Sequence, residues 1–143
     1  MGNLPATWSL PAIPGSVPRL RRNLLQAISG RGFDEGAVGL AVTEALTNAV
    51  RHAYPGSQGP VTLSVQQSAD RLVVVVSDEG IGARSFTARS GSDRGTGMGL
   101  PLLHELCAGV RVDPGNSGTT VTMAFAKCRA VAVPTGFADP SEG

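Results

Sequence analysis

Two polar residues, Glu44 and Asn48, lie four positions apart in a stretch with helical spacing, so they should share one face of a helix. His52 continues the same line. Mg²⁺ prefers oxygen ligands and takes one or two protein groups together with water and substrate phosphates, which suits the side-chain oxygen of Asn48. A neighbouring carboxylate could act as a general base on an attacking hydroxyl, which suits Glu44. Either residue alone would more often be an ordinary solvated side chain, so the interpretation depends on the motifs that follow.

An acidic glycine turn, Asp78-Glu-Gly80-Ile-Gly82, comes directly after an apolar stretch. A carboxylate only accepts hydrogen bonds, so Asp78 at the rim of a sheet could accept from the exocyclic amine of adenine and would reject the carbonyl of guanine. Gly80 and Gly82 allow positive φ angles and the close approach of a flat ring. The alternative is a simple strand-to-loop turn, because Asp and Gly are common turn residues.

A third motif is rich in glycine and comes before a predicted helix. Bare N–H groups at a helix N-terminus bind phosphate, and the glycines would leave them accessible. The spacing is neither that of a P-loop nor that of a dinucleotide fingerprint, and no strand leads directly into it. A flexible glycine hinge is the alternative. The candidate phosphate-binding residues are Gly95, Thr96, Gly97, Met98, Gly99 and Leu100.

Three predicted helices would position these motifs. The first begins with Ser16 as its N-cap, and Gly30 and Gly32 end it. The second begins at Asp34, whose charge favours a helix N-terminus, and stops before Pro55. The third covers residues 97–107.

Alternating apolar residues predict about five strands. The Arg71–Ser77 run is rich in β-branched residues, as in a central strand buried on both faces or deeply on one. The short polar connection before it predicts an antiparallel hairpin, and residues 113–118 predict a second turn. The strands are expected around Trp8 and Leu10, over Val61–Gln66, over Arg71–Ser77, from Val110 and over Thr119–Ala126.

Together these elements predict an α/β fold, a two-layer sandwich in which helices cover one face of a mixed, mostly antiparallel sheet. Residues 1–126 would form a single domain, and residues 127–143 a flexible C-terminal tail. Residues 83–94 form a long polar loop of the kind that is functional or disordered. Its arginines are candidates for phosphate or partner contacts: Arg84, Arg89 and Arg94.

Composition narrows the classes of partner. The chain has 143 residues, is 41% hydrophobic and 16% charged, and carries a formal net charge of +1. Near-neutral charge and 4% aromatic residues argue against nucleic acid as a partner. No stretch approaches the roughly 20 apolar residues of a membrane span, so we expect no membrane partner and a cytoplasmic location. Cys107 and Cys128 are expected to be free thiols, although spacing alone leaves a disulfide open.

In order and spacing, the three motifs resemble the N, G1 and G2 boxes of the GHKL (Bergerat-fold) ATPase superfamily, which includes gyrase, the ninety-kilodalton heat-shock chaperone, histidine kinases and MutL. Glu44-x-x-x-Asn48 is similar to the N box, Asp78-x-Gly80-x-Gly82 to the G1 box and Gly95-x-Gly97-x-Gly99 to the G2 box. Ser117-Gly-Thr119-Thr120-Val resembles the strand whose threonines close the nucleotide pocket.

Within the superfamily, the chain resembles the anti-sigma-factor serine/threonine kinases. The resemblance rests on the compact size, on the run from Thr43 to Tyr54, on Leu10-Pro-Ala-x-Pro-x-Ser-Val and on Gly99-Leu-Pro-Leu-Leu103. It implies an ATP–Mg²⁺ site under a lid formed by residues 83–94. It also implies a homodimer that sequesters a sigma factor and phosphorylates an anti-sigma antagonist protein.

The resemblance gives each site residue a role. It implies Asn48 as the metal ligand, Asp78 as the adenine reader and Glu44 as the base that activates a serine or threonine of the antagonist. The remaining cofactor-binding residues would be His52, Gly80, Gly82, the residues of the third motif, Thr119 and Thr120.

Two other functions fit the same motifs. The domain could bind ATP and sequester a partner without phosphorylating it, although a pure binder has less use for Glu44. It could also be the ATPase part of a histidine kinase. That reading ranks last, because the two histidines, His52 and His104, do not precede the N box.

Overall fold

The computed structural model describes residues 4–80, 99–115 and 117–128 of the chain. Within these residues, strands and helices follow one another in the predicted order. They are β1 (Ala6–Pro11), α1 (Ser16–Ile28), α2 (Glu35–His52), β2 (Pro60–Ser68), β3 (Arg71–Asp78), α3 (Gly99–Leu106), β4 (Gly109–Gly115) and β5 (Gly118–Ala126).

The strands form one sheet in the order β1-β2-β3-β5-β4, and every pairing among the described residues is antiparallel. The predicted β2–β3 hairpin is confirmed, with Ser68 opposite Arg71 across the turn. The prediction of a mostly antiparallel sheet with helices packed on it is therefore confirmed.

One face of the sheet carries the core. Leu63 lies opposite Val76, and Val74 lies opposite both Val65 and Met123 on its two neighbouring strands. These five side chains are buried. The intervening β3 residues are only half-buried, so the strand is deeply covered on one face, the second of the two predicted possibilities. Burial of this apolar face is the main favourable term in the folding of a two-layer domain.

The helices cover that face with apolar stripes of 3.6-residue period. In α1, Leu20, Leu24 and Ile28 are buried. The stripe of α2 is also buried: Val38, Ala41, Val42, Ala45, Leu46 and Ala49.

The two longer helices begin differently. The Asp34 carboxylate accepts the N–H of Ala37 at 3.0 Å, so the predicted start of α2 is confirmed. The prediction that Ser16 caps α1 is wrong. Gly15 occupies the N-cap without a side-chain bond, and Ser16 is the buried first residue of the helix. Its N–H donates to the Ile13 carbonyl at 2.9 Å, because the chain already turns before the helix begins.

The β4–β5 turn is tighter than residues 113–118 suggested. Asp113 pairs with Thr120, Pro114 with Thr119 and Gly115 with Gly118. Proline cannot donate to a strand ladder, but β4 is an edge strand, where this is tolerated.

Two residues beyond residue 126, the predicted end of the domain, still make backbone hydrogen bonds to it. Lys127 N–H donates to the Asp70 carbonyl at 3.0 Å, and Cys128 N–H donates to the Gly32 carbonyl at 2.8 Å. Residues 129–143 lie outside the described residues, so the flexible tail stays a prediction.

Candidate nucleotide site

Helix α2 presents Glu44 and Asn48 on one half-buried edge, as predicted. The Asn48 Nδ2 group donates to Glu44 Oε2 at 3.5 Å, the outer limit of a hydrogen bond. The other polar atom of this amide is Asn48 Oδ1. It is buried and accepts no hydrogen bond from any described group. An unsatisfied buried acceptor costs free energy, which a ligand at this position would recover.

The chemistry of Asn48 Oδ1 fits a hard cation that is shared with a ligand. In the described ranges, no group of three or more His, Cys, Asp or Glu residues could hold a metal by itself. A single amide oxygen beside a carboxylate is the kind of partial site that Mg²⁺ completes with water and phosphate oxygens.

His52 is the last residue of α2 and is half-buried. Ala53 is the C-cap of the helix, and its N–H donates to the Ala49 carbonyl at 2.9 Å. The line Glu44, Asn48, His52 therefore runs down α2 toward the segment that meets the acidic turn.

Asp78 ends β3 directly opposite Thr119 of β5. Its Oδ1 atom accepts the Gly80 N–H at 3.0 Å. Burial raises the pKa of Asp78 above its ordinary value near 3.8, while N–H groups of Gly80 and Thr119 act in the opposite direction and the Glu79 charge raises it further. Asp78 is thus a partly desolvated acceptor that would gain from a ligand donor.

Two glycines allow the acidic turn after β3 to pack closely against the end of α2 and the start of β5. A Cβ on Gly80 would overlap the Ala53 carbonyl, and a Cβ on Gly118 would overlap the Asp78 carbonyl. Gly118 also has a φ of +144°, which side-chain-bearing residues rarely adopt. The close approach expected at Gly80 is therefore made by the end of α2, and not by a ligand alone.

The two predicted threonines lie on opposite faces of the sheet, because side chains alternate along a strand. Thr119 is buried on the helix-covered face, and its Oγ1 atom has no hydrogen-bond partner among the described groups. Thr120 is half-buried on the other face, opposite Ser77. Of these two threonines, only Thr119 places its side chain on the same face of the sheet as Asp78.

Tyr54 is the residue that sequence reasoning missed as part of the site. Its hydroxyl donates to the Pro60 carbonyl at 2.6 Å and accepts the Glu79 N–H at 2.8 Å. Burial raises the pKa of this phenol, the Glu79 N–H lowers it and the charges of Asp78 and Glu79 raise it. The available signal was a lone tyrosine at the end of the motif-bearing helix, directly before Pro55.

Part of the predicted site cannot be placed. Gly99 and Leu100 open the backbone of α3. The lid of residues 83–94 lies outside the described residues, as do these predicted site residues: Gly82, Gly95, Thr96, Gly97 and Met98.

Across the ranges that the structure describes, none of the helices has both the length and the apolar character needed to cross a membrane.

Known proteins are similar to this chain in sequence and in fold. The family described as histidine kinase-like ATPase domain matches residues 10–125. Serine-protein kinase RsbW of Bacillus pumilus is 34% identical over 133 residues, covering 80% of either chain. The anti-sigma F factor of Clostridium acetobutylicum is 32% identical over 95 residues, covering 60% of this chain and 66% of the relative.

A solved structure agrees on the fold. The RsbU and RsbW domains of Rv1364c from Mycobacterium tuberculosis superpose with a TM-score of 0.70 at 22% identity, covering 89% of this chain and 33% of that one. The family match and the relatives confirm the predicted resemblance to the anti-sigma-factor serine/threonine kinases. Since the family match takes in most of the chain and all three motifs, this protein belongs to the histidine kinase-like ATPase domain family.

Proposed function

We propose that this chain is an ATP-dependent protein serine/threonine kinase and anti-sigma factor that phosphorylates an anti-sigma antagonist protein. The observation that carries the proposal is the buried, unsatisfied Oδ1 atom of Asn48 beside the Glu44 carboxylate. The names of the relatives, serine-protein kinase and anti-sigma F factor, support the same activity.

Phosphoryl transfer depends on positioning and on charge neutralisation more than on covalent chemistry by the protein. Asn48 Oδ1 would hold Mg²⁺, which when bound neutralises charge on the phosphates. Glu44 lies on the same edge of α2, where its carboxylate can take the proton of an attacking serine or threonine hydroxyl. Asp78 would accept from the adenine amine.

The other nucleotide contacts are assigned around this centre. Thr119 would face the ligand beside Asp78, while Thr120 would act through the pairing of its backbone. N–H groups of the glycine motif would bind phosphate at the start of α3. The residues assigned to the nucleotide are His52, Gly80, Gly82, Gly95, Thr96, Gly97, Met98, Gly99, Leu100, Thr119 and Thr120.

The partners we propose are proteins: a sigma factor, which the domain sequesters, and the antagonist, which it phosphorylates. We further propose that the protein works as a cytoplasmic homodimer and engages neither nucleic acid nor membrane. Sedimentation velocity tests the assembly, since a monomer at micromolar concentration would contradict it.

A transfer assay with radiolabelled Mg²⁺-ATP and antagonist-like proteins from the same genome tests the function. The wild-type protein should label a serine or threonine of a partner, and EDTA should abolish the label. Glu44→Gln should keep ATP binding within about threefold and lower the transfer rate by roughly 10²-fold or more, the usual contribution of a general base.

Glu35→Gln is the matched control, because it removes a carboxylate from the exposed first turn of the same helix. It should leave transfer within about twofold of wild type. Unchanged transfer in Glu44→Gln would remove the base role, and ATP binding by the wild type without any partner label would favour a sequestering module without kinase activity.

A further inference from the structure

Tyr54 joins three segments of the chain through its hydroxyl. It follows the end of α2, its hydroxyl donates to Pro60 at the start of β2, and it accepts from Glu79 just after β3. A phenol has one donor and acceptor lone pairs, so both bonds can be made at once. The side chain therefore ties the acidic turn to the helix that carries Glu44 and Asn48.

The hydroxyl lies where the β2–β3 ladder stops. Val61 is opposite Asp78 in this antiparallel pair, so the next position of the register would place Pro60 opposite Glu79. In place of a direct bond between these two residues, the Pro60 carbonyl and the Glu79 N–H both bond the Tyr54 hydroxyl. The phenol thus substitutes for the last rung and sets the point at which the chain leaves the sheet, one residue after Asp78.

Two glycines, Gly59 and Gly80, pack against the ring of Tyr54. A Cβ on Gly59 would overlap the ring of Tyr54, and a Cβ on Gly80 would come within 2.9 Å of its Cδ1 atom. A side chain at either position would displace the ring. The position of the hydroxyl is therefore fixed from both sides.

We propose that Tyr54 is a positioning residue for base selectivity, because its hydroxyl fixes the backbone N–H of Glu79 and thereby orients the neighbouring Asp78, whose carboxylate reads the adenine amine. This inference rests on the proposed function, since it needs Asp78 to contact the base. Tyr54 itself would touch neither the base nor the phosphates, so its removal should act on nucleotide choice and affinity and not on the transfer step.

Binding of ATP and of ITP tests the proposal, because ITP carries a carbonyl in place of the exocyclic amine of adenine and a proton on N1, and otherwise keeps the purine. Wild type should prefer ATP by at least about tenfold. Tyr54→Phe, which keeps the ring, should reduce the ATP/ITP affinity ratio by about three- to tenfold. Its kcat at saturating Mg²⁺-ATP should stay within about twofold of wild type, as expected when ground-state binding alone is affected.

Gly59→Ala provides a second route, because it crowds the ring without removing the hydroxyl, and it should reduce the ratio similarly. Ser9→Ala is the matched control: it removes a hydroxyl bonded to Thr62 at 3.1 Å on the exposed β1–β2 pair, and its ratio should equal that of wild type.

The two proposals fail in different ways. An unchanged ATP/ITP ratio in Tyr54→Phe, or in Gly59→Ala if the first variant does not fold, overturns the positioning role and leaves the kinase intact. A lower kcat with an unchanged ratio also overturns it. A wild-type protein that binds neither nucleotide overturns both proposals.

Discussion

At the scale of single residues, the site is a set of polar groups whose needs are only partly met by the protein. Asn48 Oδ1 and Thr119 Oγ1 are buried without a partner among the described groups, and Asp78 is partly desolvated. Each represents a free-energy cost to the protein that a bound ligand can offset. Such groups are concentrated where a protein gives up stability for binding.

The charge of Asp78 provides a test of whether the site lowers folding stability in favour of ligand binding. Its pKa is raised in the folded protein, chiefly by burial, so the folded state holds the proton more tightly than the unfolded state does. The resulting stability is fully present below the unfolded pKa and is lost as pH rises through the folded pKa. At neutral pH the ionised carboxylate therefore destabilises the fold.

Asp78→Asn should accordingly melt at a higher temperature than wild type at pH 7 in the absence of nucleotide, and this advantage should vanish near pH 3. The same variant should bind ATP at least about tenfold more weakly, since the amide cannot reproduce an acceptor-only group. Thermal unfolding at several pH values and nucleotide titration measure both effects. Asp113→Asn, on the exposed β4 edge, is the control, and an equal gain there would show that Asp78 is not special.

At the scale of elements, the site depends on three element ends that lie together. They are the C-terminus of α2, the end of β3 and the start of β5. Gly80 lies against the Ala53 carbonyl and Gly118 against the Asp78 carbonyl. The contacts are too close for any side chain, so these glycines set the spacing between helix and sheet. A change of element position here would move Asp78 relative to Asn48.

Gly80→Ala tests that spacing. The added methyl group overlaps a backbone carbonyl, so helix and turn must separate, and we expect a loss of about 2 kcal/mol or more in unfolding free energy together with weaker ATP binding. Gly15→Ala is the matched control, because its Cβ would meet nothing within 4 Å. Denaturant unfolding of both variants gives the comparison, and equal stabilities would show that the contact relaxes without cost.

Local patterns predicted the elements well and their junctions poorly. The stripe of α2 and the β2–β3 hairpin follow from periodicity and turn residues, and the Glu44–Asn48 edge follows from the helical repeat. The roles of Gly80 and Tyr54 come from contacts across 25 to 27 residues of chain, with Glu79 and Ala53. Ser16 had suitable chemistry for a cap, but its position was decided by the preceding turn.

At the scale of the whole molecule, the sheet has two ends with different tasks. One end carries the candidate site. The other end is closed by structural bonds: Arg31 donates to Gln67 at 3.2 Å, and the two residues after β5 reach Asp70 and Gly32. The site can therefore tolerate unsatisfied groups while the opposite end and the core hold the fold.

Shortening the chain tests how far that closed end extends. Removal of residues 129–143 should leave the melting temperature within about 1 °C, as expected for the predicted tail. Removal of residues 127–143 should lower it by several degrees, because it also deletes the Lys127 and Cys128 bonds and the Lys127 side chain, whose Cε atom would lie 3.3 Å from a Cβ on Gly32. The two shortened chains differ only in these two residues, so each is the control for the other.

ATP affinity should be equal in both, because the lost contacts lie at the end of the sheet away from Asp78. Equal melting temperatures would place the domain boundary at residue 126, as the sequence predicted, and would show that the two backbone bonds contribute nothing to stability.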